Sequence, residues 1–283
     1  MRRLFFLLIL FLMVSCQAQP QYYQEKIYSH KEVAKLYIAE GRYTDALREL
    51  ELAQQTLLRP QFCLNLQNLQ NLSPEERQKV CDPEVYNLFG VVYMAKKDYE
   101  KAEAYFKSAL MLDPDYSEAY NNLGTLHMMQ GRYQEAISYF EKALSNPLYT
   151  NAYLALANMG WSYYQLRDKE KALNILHQAV KENALASKPL IYIALIYLDE
   201  GDLDSAEFYL KRVLKNERSS LEARYYLGEV FFKKGKYDLA KEIWESITQI
   251  APGSEWANLS EDKIYLLKRL QSSSNKEILK PNP

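Results

Sequence analysis

The sequence is poor in the residues on which catalytic and metal sites depend. It contains only three histidines and three cysteines, and it has no phosphate-binding glycine loop and no GxGxxG, HExxH or CxxC pattern. Glycine and proline are also scarce, at 9 and 10 residues, which favours closely packed helices over a loop-rich sheet protein. We therefore expect an all-α protein that is not an enzyme and that has no metal site and no cofactor.

An excess of charge of either sign is also missing. The chain has 35 basic and 36 acidic residues, whereas a nucleic-acid partner would favour a basic surface. The acidic residues are interpreted as solvent-facing helix stripes. His127 occupies a position that carries Tyr or Phe in similar segments of the chain, so a packing role is expected for it. The charge pattern predicts no nucleic-acid partner, and no small-molecule substrate is expected.

The N-terminus has the features of a targeting signal. Two arginines precede an unbroken apolar run, LFFLLILFLMV, which is shorter than the roughly 20 residues that span a bilayer. The run leads into Ser15 and Cys16, and this junction resembles a bacterial lipobox. The resemblance implies a signal peptide over 1–15, cleavage before Cys16 and lipidation of its thiol. An ordinary signal peptide with an incidental Cys16 is the alternative.

The residues after this cysteine bear on where the protein goes. Gln17 lies where an aspartate would resemble an inner-membrane retention signal. We therefore expect a lipid anchor in the bacterial outer membrane, on its periplasmic face. Residues 16–26 are polar and contain proline, and they are interpreted as a tether.

Small residues recur at a regular spacing. Glycine or alanine occupies positions 90, 124, 160, 194 and 228, at intervals of 34, 36, 34 and 34 residues. A second alanine follows each of them by 12 residues. A large apolar residue follows each by 16 residues: Phe106, Phe140, Leu176, Leu210 and Trp244. This pattern resembles the tetratricopeptide repeat, a helix–turn–helix unit in which small residues let two helices approach closely.

Repetition predicts an all-α superhelix of about six such units, because one helix pair cannot bury its apolar face alone. The predicted repeats are 27–60, 83–116, 117–150, 153–186, 187–220 and 221–254. An insertion covers 61–82, a capping helix is expected over 255–271, and 272–283 is expected to be a disordered tail. A helical bundle with chance periodicity is the alternative.

Two cysteines bracket the insertion. If Cys16 is lipidated, Cys63 and Cys81 are the remaining thiols, and in an oxidising periplasm they predict a disulfide. Such a bond would stabilise the fold by roughly 3 kcal/mol. Two unpaired buried thiols are the alternative. Within the insertion, Ser73 followed by Pro74 is typical of a helix start with Ser73 as the cap.

The first helix of each repeat is expected to line a concave, protein-binding groove. Polar groups there would bond a peptide backbone, and aromatic rings would anchor apolar side chains. The predicted groove residues are Asn87, Val91, Met94, Asn121, Thr125, Met128, Trp161, Tyr164, Tyr225 and Phe232, with Leu195 and Leu198 at equivalent positions. For each of them, a place in the core between repeats is the alternative.

The whole mature chain resembles the outer-membrane pilotins of type IV pili, the PilF/PilW/Tgl group, which carry a lipobox and six tetratricopeptide repeats. The local similarity lies where repeats three and four meet, where the family has an LYP-like turn, a lengthening of two residues and then NLG. The counterparts here are Leu148-Tyr149-Thr150 and Asn158-Met159-Gly160, and the late Pro252-Gly253-Ser254 also resembles the family's ending. The insertion departs from the family pattern.

This resemblance implies that the protein helps a secretin to localise or multimerise in the outer membrane. Its protein partner would be a secretin subunit, and its membrane contact would be the lipid on Cys16. Another envelope adaptor lipoprotein, serving a protease, a peptidoglycan enzyme or outer-membrane protein assembly, is the alternative function.

Overall fold

All regular structure in the described residues is helical. The computed structural model describes residues 22–56, 72–73, 75–77 and 81–278, with side chains up to residue 270. The predicted signal peptide, Cys16, Cys63 and most of the insertion lie outside these residues. The chain divides into two compact units, the first unit (Met1–Asn151) and the second unit (Ala152–Pro283). Their boundary coincides with the 36-residue spacing.

The first unit contains three helix pairs. They are α1 (22–39) with α2 (Tyr43–Thr56), α3 (Pro83–Ala95) with α4 (Tyr99–Leu112), and α5 (Ser117–Met129) with α6 (Tyr133–Leu144). Helix α4 packs on α5, and α3 also touches α5. A second helix that contacts the next pair in this way is the arrangement expected of stacked tetratricopeptide repeats.

The second unit contains three further pairs and a final helix. They are α7 (Ala152–Gln165) with α8 (Lys169–Glu182), α9 (Ser187–Asp199) with α10 (Leu203–Asn216), α11 (Leu221–Lys233) with α12 (Tyr237–Ile250), and α13 (Glu255–Ile278). The first helices α7, α9, α11 and α13 follow one another side by side. Helix α13 packs mainly on α12, the last helix of the repeats, where the capping helix is expected.

The predicted close approach of paired helices is confirmed. A methyl group added at Gly90 would lie 2.5 Å from the ring of Phe106, and one at Gly124 would lie 2.5 Å from Phe140. Gly228 faces the indole of Trp244 even more closely. Each large side chain is fully buried in the space that the glycine leaves. The repeat spacing therefore places the two helices of each unit correctly.

The short turns inside the repeats contain a left-handed residue, which is Lys97 in repeat two, Arg167 in repeat four and glycine in the others. Gly131, Gly201 and Gly235 have φ between 72° and 80°, a left-handed conformation that glycine adopts without steric cost. In repeats two, four and five an aspartate then caps the second helix, since its carboxylate accepts a backbone N–H three residues later. The three caps are Asp98, Asp168 and Asp202.

Two helices extend beyond their predicted bounds. Residues 22–26, expected to be tether, are helical and lead to the buried Ile27. Helix α13 continues to Ile278, past the predicted start of a disordered tail at 272. In both places the sequence carries no glycine or proline that would stop a helix, the first such residue after α13 being Pro281.

The described part of the insertion contains the predicted helix start. The backbone N–H of Ser73 donates to the carboxylate of Glu76 at 2.8 Å, and the Ser73 hydroxyl accepts from the N–H of Glu76 at 3.3 Å. These reciprocal bonds form a capping box, so Ser73 is the cap. Cys81 is fully buried and disulfide-bonded. Since Cys63 lies outside the described residues, its pairing with Cys81 stays a prediction.

An ion-pair network joins α1 to the start of α3. The Lys31 ammonium lies 2.7 Å from the carboxylate of Asp82 and 2.6 Å from that of Glu84, and Lys35 lies 2.7 Å from Glu84. Burial by itself would raise the pKa of Glu84, but the hydrogen bonds from both lysines outweigh it and lower that pKa. The first pair is thereby tied to the second across the insertion.

Candidate functional site

An open cleft of about 650 Å³ lies on the first helices of the second unit. Its walls come from α7, α9, α11 and α13, and most of its lining is aromatic or aliphatic. The lining residues are Trp161, Tyr164, Gln165, Leu195, Leu198, Asp199, Tyr225, Tyr226, Glu229, Lys233, Glu255, Trp256 and Leu259. We call this site the aromatic cleft. An open apolar site with a few polar groups is typical of ligand and peptide recognition.

The rings of the aromatic cleft are held by contacts with one another. The Trp161 ring stacks on Tyr192 at 4.8 Å and lies 5.6 Å from Tyr164. On the opposite wall, the Trp256 ring lies 5.4 Å from that of Tyr225 and 6.0 Å from that of Tyr226. Contacts of this kind orient large side chains before any partner arrives, which lowers the entropy cost of binding.

Acidic groups predominate among the charged residues of this cleft. Asp199 accepts a short hydrogen bond from the Tyr164 hydroxyl, and burial together with this carboxylate raises the pKa of Tyr164 to about 12. Glu229 lies 2.9 Å from the ammonium of Lys263 on α13. Glu255 begins α13 and is exposed. Three carboxylates face a single lysine in the lining, so the cleft is net negative.

Three of the four groove residues predicted in this unit meet in the aromatic cleft. Trp161, Tyr164 and Tyr225 line it, together with the equivalent Leu195 and Leu198. Phe232 does not line it. Its ring packs 5.4 Å from Tyr237 and 6.0 Å from Trp244, which replaces the leucine of the two preceding repeats. Phe232 therefore packs against Trp244 in the core of its own repeat and not in the cleft.

Most groove residues predicted in the first unit contact their own surroundings, but the side-chain oxygen of Asn121 is buried without a hydrogen-bond partner among the described residues. Asn87 is buried and accepts a hydrogen bond of 2.9 Å from the side-chain amide of Asn122. The Thr125 hydroxyl donates to the carbonyl of Asn121, also at 2.9 Å. Val91 and Met94 are partly buried against the core that contains Phe106 and Leu126, and Met128 is partly buried as well. Most of these side chains therefore pack at the edge of the hydrophobic core.

Eight lining residues were not predicted from the sequence: Gln165, Asp199, Tyr226, Glu229, Lys233, Glu255, Trp256 and Leu259. Trp256 and Leu259 belong to α13, which was interpreted only as a cap, and Asp199 and Glu229 belong to stripes interpreted as solvated surface. A tryptophan in the first turn of a helix that ends a repeat array is the signal that would have identified Trp256. The two acidic residues show no such signal, since only the packing of α7, α9 and α11 brings them to one cleft.

The histidine selected for packing lies in its repeat as expected. The ring of His127 is buried, lies 4.9 Å from that of Tyr139, and places Nδ1 2.8 Å from a carboxylate oxygen of Glu135. Across the described residues, histidine, cysteine and acidic side chains form no group of three that would hold a metal ion. None of the described helices is both long enough and apolar enough to cross a membrane.

Family models match most of the repeat region. Models described as tetratricopeptide repeat match residues 82–147 and 115–181, 158–207, and 197–262. Together they cover more than half of the chain. The chain belongs to the tetratricopeptide repeat family. Proteins of this family use the surfaces of their stacked helices to bind other proteins.

A curated tetratricopeptide repeat relative matches a short part of the chain. Tetratricopeptide repeat protein 21B of Xenopus laevis is 27% identical over 124 residues, which is 40% of this chain. The chain spans only 9% of the length of that relative. This match therefore supports the repeat and says nothing about a shared activity of the whole proteins.

Solved tetratricopeptide repeat structures cover more of the chain. PilW, described as a widely conserved type IV pilus biogenesis factor, has a TM-score of 0.61 at 20% identity, covering 82% of this chain and 97% of its own. PilF of Pseudomonas aeruginosa has a TM-score of 0.58 at 16% identity, covering 85% and 99%. TTC0263, a thermophilic protein of Thermus thermophilus, reaches 0.58 at 24% identity, covering 65% and 99%. At these identities the likeness shows the fold alone.

Proposed function

We propose that this protein is a lipid-anchored tetratricopeptide repeat protein of the outer membrane that helps a secretin to assemble or localise in type IV pilus biogenesis. The observation that carries the binding role is the aromatic cleft, whose oriented rings come from α7, α11 and α13, with Trp161, Tyr226 and Trp256 partly exposed. The choice of partner is supported by the likeness to PilW, which extends over 97% of that chain.

The mechanism is physical escort rather than chemistry. Lipid on Cys16 would hold the protein at the membrane, since each buried CH₂ of an acyl chain contributes about 0.8 kcal/mol. The aromatic cleft would hold a segment of the secretin subunit. Anchoring rings such as Trp161 and Trp256 are the residue type that dominates binding energy in protein interfaces. Bringing the subunit to the membrane then raises its local concentration for assembly.

The experiment that tests this function is deletion of the gene, followed by a gel assay for heat-resistant secretin multimers in membrane fractions. We expect multimers to be lost and to return with the wild-type gene. Complementation with Trp161→Ala is expected to fail, because this variant lacks a large aromatic side chain of the cleft. Phe208→Ala is the matched control, since it removes an exposed aromatic ring outside the cleft. Unchanged multimers in the deletion strain would refute the secretin role.

The anchor is tested separately. We expect metabolic labelling with a fatty-acid analogue to mark the wild-type protein and to leave Cys16→Ala unlabelled. Density-gradient separation of membranes should place the labelled protein in the outer-membrane fraction. Labelling that persists in the Cys16→Ala variant, or recovery of the wild-type protein in the inner membrane, would contradict the proposed anchor or its proposed location.

A further inference from the structure

We propose that the aromatic cleft recognises a lysine or arginine of the partner, carried in a segment with apolar neighbours. The proposal rests on the protein-binding role inferred above and names the chemistry that the cleft selects. Two features of the second unit support this proposal. Some carboxylates of the cleft have no cationic partner, and no lysine or arginine of the described residues lies over its tryptophan rings.

The carboxylates of the cleft differ in how far they are already paired. Glu229 is paired with Lys263 at 2.9 Å, and Asp199 accepts only a neutral hydroxyl. Glu255 makes no hydrogen bond or ion pair with any residue that the structure describes. The one lysine in the lining, Lys233, donates to the carbonyl oxygen of Leu198 at 3.4 Å. Two acidic groups therefore remain without a cationic partner.

The aromatic faces point to the same ligand. Elsewhere the chain places its own cations over tyrosine rings, for example Lys171 over Tyr163 at 4.0 Å and Arg42 over Tyr37 at 4.1 Å. Within the described residues, no lysine or arginine lies over Trp161 or Trp256. Tryptophan has the strongest attraction for a cation among aromatic rings, and the interaction strengthens when water is excluded. A partner cation would occupy a ring face that no cation of this chain covers; the other face of Trp161 stacks on Tyr192.

Apolar contacts next to the cleft define the rest of the occupant. Leu259 lines the cleft, and Leu266 and Leu270 follow on the same face of α13, seven and eleven residues later. Both are close to half exposed, at 46% and 47%. At 1.5 Å per residue this stripe extends for about 16 Å from the cleft. It provides a surface for apolar side chains that flank the cation, whereas an acidic segment would meet uncompensated carboxylates.

The experiment compares synthetic peptides by calorimetry with the full protein in detergent. All have the sequence Ser-Gly-Leu-Ala-X-Ala-Leu-Gly-Ser, where X is lysine, arginine, norleucine or glutamate. Norleucine matches the lysine stem without its charge. We expect the lysine and arginine peptides to bind at least about tenfold more tightly than the other two, with the preference shrinking as salt is raised. Equal binding of the lysine and norleucine peptides, or no binding by any peptide, would overturn the proposal.

Two variants locate the selection in the cleft. Glu255→Gln is expected to reduce the preference for lysine about threefold or more, while Glu170→Gln should leave it unchanged. Glu170 is the matched control because it is also an exposed glutamate in the first turn of a helix, α8, but lies outside the cleft. If all peptides bind equally and Trp161→Ala abolishes binding, charge selection is refuted while protein binding stands. The secretin assay tests the pilus role independently of this result.

Discussion

The two units carry different side chains on corresponding faces of their repeats. In the first unit the predicted groove positions carry asparagine, valine, threonine or methionine and no aromatic residue, and Asn87 is hydrogen-bonded to Asn122. In the second unit the equivalent face carries Trp161, Tyr164 and Tyr225, whose rings line an open cleft. The two units also differ in how completely their partly buried glutamates are paired with lysines. Glu84 of the first unit is paired with two lysines, whereas Glu222 of the second unit is partly buried with weaker compensation from Lys188.

This contrast separates the residues that a repeat needs in order to fold from those that are free to vary. In both units a glycine of the first helix faces a large aromatic residue of the second, as Gly124 faces Phe140 and Gly228 faces Trp244. We call this close contact the crossing. The crossing therefore builds the helix pair and leaves the inward face free to vary. The residues on that face, and not those at the crossing, differ between the first unit and the cleft of the second unit.

The largest expected effect comes from breaking the shared crossing. Gly228→Ala forces a methyl group against the indole of Trp244, so we expect the free energy of unfolding to fall by about 1–3 kcal/mol. Gly90→Ala should do the same in the first unit, where the methyl group meets Phe106. Hydrogen exchange followed by mass spectrometry should show faster exchange in α11 and α12 for the first variant and in α3 and α4 for the second.

The control for this prediction is already present in the chain. Repeat five has alanine and leucine at the two positions, Ala194 and Leu210, and both are fully buried. Adding Trp244→Leu to Gly228→Ala should therefore cost less than the sum of the two single changes. Strictly additive losses would show that the crossing is not what limits side-chain size at Gly228.

A smaller effect is expected from the ion-pair network of the first unit. Glu84→Gln leaves Lys31 and Lys35 with fewer partners, and we expect a loss of about 1–2 kcal/mol at neutral pH. Because the pKa of Glu84 is lowered in the folded state, its contribution is complete above the unfolded value of about 4.3 and is lost as the pH falls further. Urea unfolding at pH 7 and at about pH 3 should show the difference between wild type and variant shrinking.

The matched control for this network is Glu141→Gln, an exposed glutamate of α6 in the same unit. It should change the free energy of unfolding by less than about 0.5 kcal/mol at either pH. A difference between wild type and Glu84→Gln that stays constant down to pH 3 would contradict the assignment of the lowered pKa to these two lysines.

The smallest effect, and one of opposite pH dependence, is expected at Glu222. Burial raises the pKa of Glu222, and the attraction of Lys188 offsets this only in part. A raised folded pKa means that stability is gained as the pH falls through it toward about 4.3. Glu222→Gln cannot titrate, so it should lack this gain while staying within about 1 kcal/mol of wild type at pH 7. Thermal unfolding of both proteins across this pH range measures the effect. A stability of the wild type, relative to the variant, that falls as the pH is lowered would contradict the raised pKa.

The sequence predicted the repeats well because their spacing records a steric requirement. Only a small residue fits opposite Phe106 or Phe140, so the intervals of Gly90 and Gly124 locate the helix pairs without further information. The same logic predicted that Trp161, Tyr164 and Tyr225 share a face, since they occupy corresponding positions in a helical period.

The remainder of the cleft depends on packing that no local pattern encodes. Trp256 and Leu259 belong to a helix outside the repeat, so no spacing predicts where it lies. Phe232 has the correct period but packs against Trp244, the indole that this repeat has where the two preceding repeats have leucine. A periodic pattern gives the face of a helix, whereas the neighbours of that face come from the whole unit.

The distribution of tryptophan gives the second unit a built-in optical reporter. All three indoles of the chain lie there: Trp161 and Trp256 are partly exposed in the cleft, and Trp244 is fully buried at a crossing. Their intrinsic emission therefore follows the second unit alone. Quenching by a solute would reach the two cleft indoles and spare the third, and a bound segment would shield them. Occupancy of the cleft and unfolding of its scaffold thus become two separate spectral signals within one unlabelled protein.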